Sequence, residues 1–137
     1  MTGFDFHDVS DFPLVRLSGR GLPVGHGAQL TSELSALLAQ GRPFALIFLD
    51  TAENPDHADR KALMQWLKRN KKELAVRCRG IVSVEPKRVI RIAKRAQAAA
   101  MMAAFGINMK FAADRPGAEA LALGLLAGES PPDADDE

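Results

Sequence analysis

FALIFLD, residues 44–50, is the stretch whose reading decides the fold. Six apolar residues run without a break to a single acid, so the segment cannot alternate between core and water. It predicts a strand covered on both faces, which needs helices on either side of its sheet. GIVSVEP, 80–86, has the same character. Between the two lies a predicted helix over 59–76. Leu63, Trp66, Leu67, Asn70 and Leu74 share its inward face, while Lys61, Lys68, Arg69 and Lys72 point away. Two core strands joined by a helix predict a right-handed crossover and a parallel pair.

Working outward, PLVRLSG (13–19) reads as a strand closed by Gly19, and FDFHDV (4–9) as a short half-buried strand before it. A turn at Ser10–Asp11 makes the two an antiparallel hairpin at the sheet edge. A helix over 28–40 carries Leu30, Leu34, Leu37 and Leu38 on one face and meets Gly41 at its end. On the other side, a helix over 87–105 starts at Pro86 and stops at Gly106, followed by a strand in NMKFAAD (108–114). The last helix spans 116–127, between Pro116 and Gly128. The order β-β-α-β-α-β-α-β-α predicts an α/β domain over 1–128 with a small, mostly parallel mixed sheet flanked by helices. Residues 129–137 are Pro-rich and acidic, with no apolar anchor, and are expected to be disordered.

The formal charge of +1 conceals a sharp division. Residues 68–95 hold eleven of the eighteen Lys and Arg against two acids, leaving the rest of the chain strongly acidic. A global attraction to nucleic acid is therefore excluded. One cysteine rules out an internal disulfide and a thiolate metal site. No run approaches the ~20 apolar residues of a membrane span, and MTGFDFHDVSDF lacks the regions of a secretory signal, so a cytoplasmic location is expected.

With this element order, the strand ending LIFLD before the second helix and the closing MKFAADRPGAEALALGLL, the chain resembles the STAS superfamily and within it the SpoIIAA-like group, over about residues 4–127. The resemblance implies an interaction or binding module without catalysis. Related anti-anti-sigma proteins use a phosphorylated Ser at the start of the second helix. The matching stretch here, Asp56-His57-Ala58-Asp59, has no hydroxyl, so that switch is not carried over. Other SpoIIAA-like members hold apolar ligands.

Candidate chemistry collects in the acidic loop after the first core strand, at Asp50, Thr51, Glu53, Asp56, His57 and Asp59. Ligands of open α/β sheets bind at such strand ends. Carboxylates with a histidine suit a hard cation or proton transfer, yet acids in a first helical turn are also ordinary caps. The loop GRGLPVGHG (19–27) precedes a helix but matches no phosphate-binding fingerprint. Its His26 could be a ligand, although an exposed loop histidine is the commoner case. Cys78 sits between Arg77 and Arg79, which favours a thiolate, although a small core residue at a strand start is the simpler reading.

The basic stretch offers Lys68, Arg69, Lys72, Arg91 and Arg95 as a surface for an acidic protein, or as the solvated exterior of two helices. With no aromatic interleaved, single-stranded nucleic acid is disfavoured. AQAAAMMAAFG, with Met101, Met102 and Phe105, reads as a helix half packed against the sheet and a neighbouring helix, or as an apolar pocket or homodimer seam. Three functional expectations follow. The first is a non-enzymatic interaction module needing no cofactor or metal. The second is a carrier of a small apolar molecule, with an enclosed cavity under Met101–Phe105. The third is a small enzyme with a polar pocket where the 50–59 and 19–27 loops meet.

Overall fold

A computed structural model describes residues 3–20, 22–50 and 56–129. Five strands form one mixed sheet: β1 His7–Asp8, β2 Leu14–Ser18, β3 Phe44–Asp50, β4 Cys78–Val84 and β5 Met109–Ala112. Four helices follow the strands from β2 onward: α1 Gly27–Ala39, α2 His57–Arg77, α3 Arg88–Phe105 and α4 Arg115–Leu126. Spatial order equals chain order, with β1 antiparallel to β2 and every later pairing parallel. Three crossovers therefore step in one direction and carry α1, α2 and α3 along one face. The chain then returns α4 to the opposite face, where it packs on β3, β4 and β5.

β3 shows why its sequence carries no alternation. Phe44 and Leu46 enter the core with Leu34, Leu37, Trp66 and Leu74 from α1 and α2. Ala45 and Ile47 enter a second core with Ala118, Leu121, Ala122 and Leu125 of α4. Adjacent residues of a strand point to opposite faces, and here both faces are dry. Phe48 and Val84, expected to be fully buried, are only half-buried. Both lie toward the C-terminal ends of their strands, where the flanking helices give way to loops.

The helix stops fall where glycine allows them. Gly41, just past the Gln40 cap of α1, and Gly106, the cap of α3, each adopt φ +68. Pro86, in contrast, lies one residue outside the cap of α3, which is Lys87. The first strand is shorter than 4–9 because Asp5 and Phe6 donate their N–H groups to the Glu33 carboxylate, at 3.0 and 3.1 Å, instead of extending the ladder. Residues 130–137, the greater part of the expected disordered tail, lie outside the described residues.

The largest departure from expectation is α3. Its alanine-rich second half is not packed all round; only Arg91, Ala98 and Phe105 are buried along its length. Arg91 is turned inward because its guanidinium donates to the Glu85 and Pro86 carbonyls, at 2.8 and 3.0 Å. Lys94 is drawn the same way by the Glu85 carboxylate, 3.0 Å from its Nζ. The cations tie the first half of the helix to the end of β4, so Val89 and Ile92 face outward, while Ala98, Met101 and Phe105 of the second half pack inward.

Candidate functional site

A cleft of about 320 Å³ opens at the C-terminal ends of β2 and β3, between the 19–27 loop and the start of α2. Its walls are mostly apolar, from Leu17, Leu22, Leu30, Phe48 and Leu63. Asp50, Asp56, Asp59, Arg60 and His26 supply the polar groups.

Each of the three carboxylates is engaged by the protein itself. Asp50 ends β3 and accepts from Ser18 Oγ at 2.8 and 2.9 Å and from the Arg20 N–H at 2.9 Å. Asp56 caps α2, accepting from the Ala58 and Asp59 N–H groups at 3.0 and 3.2 Å. Asp59 reaches across from α2 to cap α1, whose own cap residue His26 makes no side-chain cap bond. It accepts from Gly25 N–H at 2.9 Å and Gly27 N–H at 2.8 Å. Burial pushes the Asp59 carboxyl up, but these N–H donors and the neighbouring His26 outweigh it and hold the group below the usual carboxylate range. Gly27 allows the contact, because a Cβ there would stand 3.0 Å from both Ala62 Cβ and Asp59 Oδ1.

The consequence is chemical. The N–H groups that would cradle a phosphate at a glycine loop and helix start are already occupied by the chain's own carboxylates. An anion meets filled donors and three negative charges against the single cation of Arg60.

His26 and the exposed Arg60 are the polar groups left at the cleft. The His26 Nδ1 lies 2.8 Å from the Pro23 carbonyl and 3.1 Å from Asp59 Oδ2. Both neighbours only accept, so Nδ1 carries the proton and Nε2 is an acceptor in the neutral ring. The Phe6 ring meets the imidazole edge-on, with centroids 6.3 Å apart, and the side chain is 13% exposed. The expectation of an exposed loop histidine is thus corrected. Phe6 is itself positioned by Glu33, which accepts from the Asp5, Phe6 and His7 N–H groups, His7 Nδ1 and Gln29 Nε2. Burial raises the Glu33 carboxyl, and the hydrogen bonds overcome this and bring it down to about 2.

The other anticipated site residues are dispersed. Thr51 and Glu53 lie outside the described residues. His57 is exposed on the first turn of α2 and does not line the cleft. Lys68, Arg69 and Lys72 are exposed on α2, whereas Arg91 is buried and Arg95 half-buried on α3, so the five cations do not form one outward surface. Phe105 is buried, and Met101 and Met102 are half-buried; none of them lines the cleft. Cys78 is a core residue whose thiol burial pushes up to about 12, the opposite of an activated thiolate. Sequence reasoning missed the His26–Asp59 and Glu33–His7 pairs. The positions involved are more than twenty residues apart, and no local pattern joins them.

No group of three or more His, Cys, Asp or Glu among the described residues has the arrangement of a metal site. No described helix is long and apolar enough to cross a membrane. Comparison with family models, curated proteins and solved structures finds no match for this chain.

Proposed function

We propose that the protein is a binding module for a small apolar molecule bearing a neutral or cationic hydrogen-bond donor. The observation that carries this reading is the cleft itself, with apolar walls, self-occupied anion donors and one histidine acceptor. The cleft lies where a small enzyme's pocket was expected, yet its lining is that of a carrier. A volume near 320 Å³ falls at the small end of ligand sites, enough for one or two fused rings or a short branched chain. The ligand's body would cover Leu22, Leu30 and Leu63, and its hydroxyl or amine would donate to His26 Nε2. Anionic head groups, such as carboxylates and phosphates, would be rejected by Asp50, Asp56 and Asp59. The resemblance to SpoIIAA-like proteins, within the STAS superfamily, agrees with a binding module rather than a catalyst.

The test uses the neutral solvatochromic dye N-phenyl-1-naphthylamine, whose N–H is a donor, beside its anionic counterpart, anilinonaphthalene sulfonate. The neutral dye should bind and brighten, the anionic dye should bind at least tenfold more weakly, and Leu63→Trp should fill the cleft and abolish the signal. Equal binding of both dyes, or a Leu63→Trp variant that melts like wild type and binds unchanged, would refute the reading.

A further inference from the structure

The outward face of α3 is another unexplained surface among the described residues. Val89 is 80% and Ile92 51% exposed, and Ala93, Ala96, Ala100 and Ala103 continue the same stripe in exposed positions. These positions recur at three- and four-residue spacing, so they lie on one side of the helix. No charged residue falls within the stripe, since Arg91 and Lys94 are held on the opposite side by Glu85 and Pro86. A surface helix normally carries polar residues on its outer face, and here apolar residues stand there in addition to the inward-packed Ala98, Met101 and Phe105.

We infer that α3 is the seam of a two-fold homodimer in which the α3 helices of two copies pack antiparallel about Ala96. The distribution of side-chain size selects this partner. The stripe is bulky at its N-terminal end, at Val89 and Ile92, and small at its C-terminal end, at Ala100 and Ala103. Antiparallel pairing about Ala96 sets Val89 opposite Ala103 and Ile92 opposite Ala100, so large side chains meet small ones. A two-fold interface demands such self-complementarity. Parallel pairing would oppose bulky to bulky and leave the alanine half gapped.

Charge points to the same arrangement. Lys87 and Arg88 sit at one end of the helix, and no acid occurs in α3. Antiparallel copies place their Arg88 residues ~24 Å apart, at 1.5 Å per residue on either side of Ala96, about three screening lengths in physiological salt. Each cationic end instead approaches the partner helix's C-terminus, the negative end of its dipole. A single helix pair buries less than the ~800 Å² per partner of a standard interface. The dimer is therefore reversible, dissociating at roughly 10–100 µM.

Sedimentation velocity over that concentration range, with cysteine cross-linking, tests the inference. Wild type should pass from monomer to dimer, and Ala96→Glu should remain monomeric with an unchanged circular dichroism melt. Under mild oxidation Ala96→Cys should form a disulfide-linked dimer readily. Val89→Cys should not, because its two copies are held ~21 Å apart; the native Cys78 is buried and serves as the background. Wild type that stays monomeric, Ala96→Glu that dimerises normally, or preferential linkage through Val89→Cys would each overturn the inference. So would monomeric wild type that co-floats with anionic vesicles while Ala96→Glu does not, which would give the face to a lipid surface.

Discussion

Glu33 is the residue on which most of the N-terminal structure depends. Its side chain, 1% exposed, gathers three backbone N–H groups from a segment that has only two residues of regular strand. Removing it leaves the buried His7 N–H and the part-buried Asp5 and Phe6 N–H groups without this acceptor. Glu33→Ala should lower the melting temperature by about 8 °C and loosen Phe6 from His26, as differential scanning calorimetry and aromatic NMR contacts would report. His7, buried beside it, has its pKa lowered by burial, only partly offset by hydrogen bonding and charge from Glu33. As pH falls below the ordinary value of 6.5, the unfolded chain takes up a proton that folded His7 resists. Stability present above that value is therefore lost on acidification. The Glu33 contribution has the same sign but is lost lower, from about 4.5 down to about 2. Urea midpoints should fall between pH 7 and pH 5 in wild type, and His7→Gln should flatten that slope. At Cys78 the raised thiol pKa predicts no labelling by iodoacetamide at pH 8 until the protein is unfolded.

At the scale of elements, close approach sets what may be substituted. Gly80 in β4 lies under α4, where a Cβ would meet Leu125 Cδ1 at 2.6 Å and the Asn108 carbonyl oxygen at 3.0 Å. Gly80→Ala should cost about 1–3 kcal/mol in chemical denaturation, the usual range for overpacking a dense core. If it is neutral, α4 does not pack on β4 as described. The elements also show how far the sequence could be read. β3 was legible because FALIFLD permits only a strand with two dry faces, and α1 because its leucines and Gly41 agree. α3 was legible as a helix but not in its orientation. Periodicity separates its two sides without saying which meets the sheet, and that choice rests on Arg91 bonding to the Glu85 and Pro86 carbonyls of the connector between β4 and α3. The mouth of the cleft was anticipated at Asp50 and Asp56. His26 was legible only as a possible ligand on a loop, since it gains its place when α2 brings Asp59 beside it.

For the whole molecule, the sheet's strand order gathers the ends of β2 and β3, the start of α1 and the start of α2 around one apolar opening. Both helix starts are satisfied from within, Asp59 serving α1 and Asp56 serving α2, and the proposed reading therefore expects a ligand without negative charge at this end of the sheet. His26→Phe should keep the apolar walls yet weaken a hydroxyl- or amine-bearing ligand by about tenfold, the worth of one hydrogen bond. A purely apolar ligand should be unaffected, and paired titrations would show the split. The most direct measurement is an NMR titration of the ¹⁵N-labelled protein, including its imidazole nitrogens, with a small neutral aromatic alcohol. The account predicts saturable shifts at Gly19, Leu22, Val24 and Leu63, with the largest imidazole change at His26 Nε2. Shifts confined to α3, or a His26 ring that stays unmoved while the alcohol saturates the protein, would contradict it.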